Sequence, residues 1–254
     1  MSARPAPTPW LRRARPLLGT LVEIGVRTSG DDDHGVVDHA FVALRDVQDC
    51  LSRFDVDSDV SRFHRLRCGD SLPMRPATRQ VLGAARDLQR ASGGAFDISL
   101  GSAPDGWRCD GDRLHKLHDD VRLDLGGIGK GYAVDCAVQV LVAHGCVAGW
   151  VNAGGDLRAF GDVELPLQLR DETSGGTRPF ALLRDGAFAT SHFDHHSRSQ
   201  LSAAAEEARR PAHVSVAAPL CLWADALTKV VAVSGDTSHP LLTRFDAQAW
   251  LHCC

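Results

Sequence analysis

No run of about 18 apolar residues occurs anywhere in the chain, so nothing in it reads as a membrane-spanning helix. Positive charge is not in surplus either: 28 Lys and Arg stand against 32 Asp and Glu, a net charge of −4. A nucleic-acid backbone is held by an excess of basic residues, so nucleic acid is not expected as a partner. The eight cysteines include no CxxC pair, the usual spacing of a structural zinc site. Cys50, Cys68, Cys109, Cys136, Cys146 and Cys221 are scattered and only Cys253 and Cys254 adjoin, a pattern that suits reduced thiols. The opening stretch "MSARPAPTPWLRRARPLLGT" is basic, but its apolar pieces are short and broken by proline, unlike the core of a secretory leader. The expected location is the cytoplasm, without membrane insertion.

What is present is the composition of an ordinary globule: 44% hydrophobic and 24% charged over 254 residues, a length that suits one catalytic-sized unit. Residues 1–16, rich in Pro and Arg, are expected to be a flexible lead-in to a single domain over 17–254. Helical spacing of Val36, Val37, Ala40, Phe41, Leu44, Val47 and Leu51 predicts an amphipathic helix from Val36 to Phe54. "TRQVLGAARDLQRASGG" predicts a second, stopped by Gly93 and Gly94, "YAVDCAVQVLVAHG" a third ending near Gly145, and "LCLWADALTKVV" a further one. Strands are predicted in "LLGTLVEIGV", "VRLDL", "AGWVN", "DLRAF", "LPLQLR", "FALL", "GAFAT" and "HVSVAA". Because strands and helices do not alternate regularly, the fold class expected is α+β. Residues 199–211, "SQLSAAAEEARRP", read as a loop or a short exposed helix.

The stretch "VRLDLGGIGKGYAVD", residues 121–135, sets an apolar run, four glycines and a lysine before a helix. A Walker loop fails here, since Gly131 follows Lys130 where a magnesium-binding hydroxyl belongs, and Asp124 stands in place of the first glycine. A Rossmann loop fails as well, because the third glycine position is Tyr132. A strand, then glycines, then a helix nevertheless aims bare backbone N–H groups at an anion. The stretch reads either as such a cradle or as a strained turn without a ligand.

Six further stretches accompany it in order: "RPLLGT" (15–20), "LSRFDVDSDVSRFH" (51–64), "GGAFDISLG" (93–101), "VNAGGDLRAFG" (151–161), "AFATS" (187–191) and "WADALTKVV" (223–231). Together with residues 123–135 they resemble the FAD:protein FMN transferase family, also called ApbE, over roughly residues 15 to 235. The resemblance implies a bilobal, T-fold-related single domain of mixed and antiparallel sheets with helices. It implies an enzyme that binds FAD and, with magnesium, cleaves the pyrophosphate, transferring FMN to a Thr or Ser hydroxyl of an acceptor flavoprotein and releasing AMP. Carried over by position, it implies flavin contacts at Leu18 and Phe54, and FAD contacts at Ala95, Phe96, Asp97, Asp124 and Lys130. It implies metal ligation by Gly127 and Asp225, with Thr228 beside them.

Cations that stabilise charge on the attacked phosphorus and on the leaving AMP are what pyrophosphate cleavage requires, and a hard carboxylate such as Asp225 suits magnesium. A helix-capping role is the other reading of Asp225. The sequence departs from the family pattern in two places. Where many members read D-x-x-x-T, the residue four after Asp225 is Lys229, and Thr228 comes one place early. Lys229 then either replaces the cation in part, one helical turn from Asp225, or forms a surface pair of little energetic value. The family's H-x-x-D-P-x-T-G segment is not recognisable; "ATSHFDHHSRSQ" stands in its place. His192, His195 and His196 with Asp194 offer a metal cluster, a general base for the acceptor hydroxyl, or only a polar surface loop. His192 is the catalytic candidate among them, beside Asp225 and Lys229, while His64 and His213 read as structural or exposed. Those departures leave two alternatives open: an FAD-binding relative without transfer chemistry, and an FAD pyrophosphatase that uses water as the acceptor.

Overall fold

Alternating apolar residues in "TLVEIGV" put Val22, Ile24 and Val26 on one fully buried face, and the strand they form begins the main sheet. The structure, a computed structural model, describes residues 10–27, 33–170, 176–193 and 212–252. Strands β1 (Trp10–Leu17) and β2 (Thr20–Arg27) form a hairpin. Its two-residue turn, Leu18–Gly19, has both residues left-handed, φ 54° and 71°, the geometry that matches strand twist. Helix α1 (Asp33–Leu51), helix α2 (Asp59–His64), strand β3 (Ser71–Pro73) and helix α3 (Pro76–Ala91) follow. Then come β4 (Trp107–Asp110), β5 (Arg113–Lys116), α4 (Gly129–Ala143), β6 (Ala148–Ala153), β7 (Asp156–Gly161), β8 (Leu165–Arg170) and β9 (Thr177–Leu183). The last described elements are β10 (Gly186–Phe193), β11 (Ala212–Ala218), α5 (Cys221–Ser234), α6 (Pro240–Arg244) and β12 (Gln248–His252).

The seven-stranded sheet has the order β1-β2-β6-β7-β10-β11-β12, a three-stranded sheet the order β3-β5-β4, and β8 pairs with β9. Neighbouring strands run antiparallel throughout the described residues, and with helices packed on them the fold is α+β as expected. Helices α1, α4 and α5 cover one face of the large sheet and share its main core. On the other face Trp150, Ala159, Phe188 and residues of the β8–β9 hairpin form a smaller core. No helix among the described residues is long and apolar enough to cross a membrane.

Two expectations are corrected. Residues 10–16, read as part of a flexible lead-in, belong to β1, held to β2 along its length; residues 1–9 lie outside the described residues. "VRLDL" forms no strand and joins no sheet; its backbone is satisfied one group at a time. The Leu123 N–H donates to His64 Nε2 at 2.8 Å and the Asp124 N–H to the Ile98 carbonyl at 2.7 Å. Asp194, His195, His196 and residues 199–211 also lie outside the described residues.

His64 can accept that N–H only while Nε2 is unprotonated. Burial and the Arg122 charge hold its pKa down at about 4, from an ordinary 6.5. A depressed folded value means a contribution to stability that is present above pH 6.5 and lost as pH falls towards 4. We expect the melting temperature of the wild-type chain to drop more steeply over that window than that of His64→Gln. Parallel curves for the two proteins would remove His64 from this role.

Candidate functional site

Helices α4 and α5 meet at their N-terminal ends, and neither has a capping side chain of its own: Ile128 precedes α4 and Leu220 precedes α5. Each is capped by the other. Asp135, from the second turn of α4, accepts the Cys221 N–H at 3.0 Å and the Leu222 N–H at 2.9 Å, and holds Arg158 at 2.9 Å. Asp225, from α5, accepts the Gly131 N–H at 3.3 Å through Oδ2. These carboxylates satisfy three of the orphaned N–H groups and fix one helix against the other. Burial pushes the Asp135 carboxyl above the usual carboxylate range, more than its two N–H donors and Arg158 pull it down. Removing it by Asp135→Ala should cost about 2–4 kcal/mol, the loss of a helix cap together with a buried charged partner. Denaturant unfolding checks this, and an unchanged midpoint would contradict the reciprocal capping.

The approach of the two helices needs a residue without a side chain at Gly131, where a Cβ would lie 2.2 Å from the Cys221 carbonyl oxygen. It carries Asp225 into the interior, where its residue surface is fully buried. There Asp225 Oδ1 meets Lys229 Nζ at 2.5 Å, an i,i+4 pair along α5. The lysine side chain is only 8% exposed, so this is a buried ion pair and not the surface pair that spacing alone allowed. Lys229 Nζ also donates to the Asp225 carbonyl at 3.0 Å and to Ser191 Oγ of β10 at 3.1 Å. Its methylenes lie on Gly127, where a Cβ would come within 2.9 Å of Lys229 Cε. Burial pushes the Asp225 carboxyl up, but Lys229, Lys130 and the hydrogen bonds from Lys229 and Gly131 outweigh it and hold it below the usual range.

Lys130, second residue of α4, reaches Asp156, the first residue of β7, in an ion pair. Burial lowers its ammonium pKa, Asp225 opposes the fall and Lys229 adds to it. Asp156 follows Gly154 and Gly155, both left-handed, in the β6–β7 turn. A Cβ on Gly154 would lie 2.3 Å from Thr20 Oγ1, so this turn lies against the β1–β2 turn that carries Leu18. Asp124 Oδ1 accepts the Gly126 N–H at 2.7 Å, and Oδ2 lies 3.4 Å from Arg53, whose guanidinium covers Phe54. Phe54 is 85% exposed, an aromatic face open at the rim.

Most residues singled out in the sequence are therefore linked. Asp225, Thr228, Lys229, Lys130 and Gly127 gather where α4, α5 and β10 meet; Asp124, Phe54 and Leu18 lie on turns joined to that centre. Ala95, Phe96 and Asp97 lead into Ile98, whose carbonyl holds Asp124. Two of these look inward. Phe96 is buried in the main core, and the Asp97 carboxylate is taken by the Ser99 and Gly101 N–H groups and the Ser99 hydroxyl, so it shapes its own turn. His192 goes elsewhere: it follows Ser191 on β10 and faces the opposite side of the sheet, its ring 3.8 Å from that of His213. Asp135, Asp156 and Ser191 are the members of this cluster that residue types and spacing did not single out.

The donor set expected of a magnesium site does not fit a divalent cation here. Lys229 engages Asp225 Oδ1 and covers Gly127, while Thr228 Oγ1 donates to the Asp225 carbonyl at 2.6 Å and bonds Ser191 Oγ at 2.8 Å. An ammonium among those oxygens leaves a second cation neither free ligands nor relief from like-charge repulsion.

Converging helix N-termini, a glycine turn and two ammonium groups define an α+β protein whose site suits an anion. Residues 18–250 match the profile of the ApbE family, and the chain belongs to that family. It is similar to the FAD:protein FMN transferase of Treponema pallidum (strain Nichols), 25% identical over 206 residues, which cover 65% of this chain and 57% of that protein. The chain thus spans little more than half the length of that curated relative. Among solved structures it is similar to the ApbE protein of Thermotoga maritima, with TM-score 0.81, 21% identity and coverage of 96% of this chain and 94% of that one. The apo flavinyl transferase ApbE of Pseudomonas stutzeri gives TM-score 0.78 at 23% identity, over 96% and 90% of the two chains. These structural likenesses establish the fold.

Proposed function

We propose that the chain is an FAD:protein FMN transferase, an enzyme that takes FAD as substrate and a flavoprotein as acceptor. The observation that carries this reading is the meeting of two helix N-termini, with Lys130 and Lys229, beside the Gly126–Gly127 turn. It gives fixed positive charge to a pyrophosphate, which is the part of FAD that reacts. Phe54 and Leu18 at the rim offer apolar surface for the flavin ring, which serves as a handle. A Thr or Ser oxygen of the acceptor attacks the phosphorus on the FMN side. Its bond to the bridging oxygen breaks, the electron pair leaves with AMP, and the hydroxyl proton passes to water. Lys130 and the α4 N-terminus hold the phosphates in line for that attack, and Asp135 and Asp225 keep the two helices in register. His192 takes no part, since its face of the sheet is turned from Lys229. Cys50, Cys68, Cys109, Cys136 and Cys221 form no disulfide among the described residues, which suits a reducing compartment, and we place the acceptor in the cytoplasm.

The test is to supply FAD and an acceptor flavoprotein, then follow AMP, free FMN and the acceptor's mass. AMP with FMN bound to the acceptor supports the transferase. AMP with free FMN replaces it with a pyrophosphatase, and bound FAD without AMP with a flavin-binding protein.

A further inference from the structure

We infer that the Lys229 ammonium takes the place of a divalent cation in this protein, so that its phosphate chemistry proceeds without a bound metal. The inference rests on the reading of FAD as substrate for its catalytic part, and on Lys229 alone for its metal part. An ammonium has three N–H donors. Lys229 directs all three at oxygens: Asp225 Oδ1 at 2.5 Å, the Asp225 carbonyl at 3.0 Å and Ser191 Oγ at 3.1 Å. Its methylenes fill the space over Gly127, and Asp225 Oδ2 is already turned to the Gly131 N–H. A hard divalent cation would need about six oxygen ligands in the same volume. Among the described residues no group of three or more His, Cys, Asp or Glu is placed to hold one.

The exchange is sterically specific. Residue 229 sits one helical turn after Asp225, so a lysine there folds back along α5 on to the carboxylate. Its single charge is half that of a divalent cation, and Lys130 with the two helix N-termini supplies the remaining positive potential. Ser191 Oγ is the one of the three acceptors that does not belong to Asp225, and it is uncharged. A charged phosphate oxygen displaces that hydroxyl most readily, which would bring the ammonium on to the pyrophosphate without separating it from Asp225.

The experiment uses the full chain with two probes, Mn2+ alone followed by electron paramagnetic resonance, and FAD followed by flavin fluorescence in EDTA or in Mg2+. The wild-type chain should leave millimolar Mn2+ free, and its FAD affinity and AMP release should be the same in EDTA as in Mg2+. Lys229→Thr should bind Mn2+, lose FAD affinity in EDTA by about tenfold or more, and regain it with Mg2+. Because Lys229→Thr leaves a buried carboxylate unpaired and can unfold, Asp225→Asn/Lys229→Met is measured beside it. That neutral pair should fold, bind no Mn2+ and hold FAD weakly in either buffer. Stoichiometric Mn2+ on the wild-type chain, or FAD binding that EDTA abolishes, overturns the inference while leaving the proposed function standing. A wild-type chain that binds neither FAD nor Mn2+ overturns the proposed function and upholds the exclusion of metal by Lys229.

Discussion

Gly131→Ala should lower stability by about 3 kcal/mol, the upper range for forcing an atom into a packed interior. The added Cβ would stand 2.2 Å from the Cys221 oxygen, 2.6 Å from its carbonyl carbon and 2.9 Å from the Leu222 Cα, all backbone that no rotamer change can move aside. Helices α4 and α5 would have to separate. That separation would stretch the Asp135 bonds to Cys221 and Leu222 as well as the Asp225 bond to Gly131. For a chain of this size the corresponding fall in melting temperature is roughly 6–12 °C. A melting temperature within a degree of wild type would show that the helix ends are not held as described.

Asp225→Ala should reduce AMP release from FAD by about a hundredfold to a thousandfold, the usual loss when a preorganised electrostatic element is taken from a reacting phosphate or oxyanion. Asp225 acts through its neighbours: it fixes Lys229, lies near Lys130 and accepts an α4 N–H. Without it Lys229 loses its carboxylate partner, while Lys130 keeps Asp156. Thermal unfolding measured in parallel should show a cooperative but lowered transition, since removing one partner of a buried ion pair costs about 3–5 kcal/mol. Full AMP release by Asp225→Ala would remove the residue from the mechanism.

Local pattern carried much of this structure. Helices α1 and α3 follow their apolar spacing because each presents one stripe to the core, and β6, β7, β10 and β11 fall on the short apolar stretches that predicted them. "VRLDL" misleads because its apolar residues do face inward, yet its partners are a histidine ring and a lone carbonyl instead of a neighbouring strand. The i,i+4 spacing of Asp225 and Lys229 was visible, but whether such a pair is exposed or buried depends on how closely α4 comes. That depends in turn on Gly131, a glycine whose neighbour lies 90 positions later. Capping of one helix by the other's aspartate is equally out of reach, since Asp135 and Cys221 are brought together only by the tertiary fold. Register decided the rest: Ser191 and His192 are adjacent, and the pleat turns the serine to Lys229 and the histidine away.

In a crystal structure of the full chain with FAD bound, the pyrophosphate should lie at the N-terminus of α4, with Lys130 and Lys229 directed at its oxygens and the flavin ring against Phe54. A flavin bound on another face, or phosphates turned to solvent with Lys130 and Lys229 still paired only to Asp156 and Asp225, would contradict that placement.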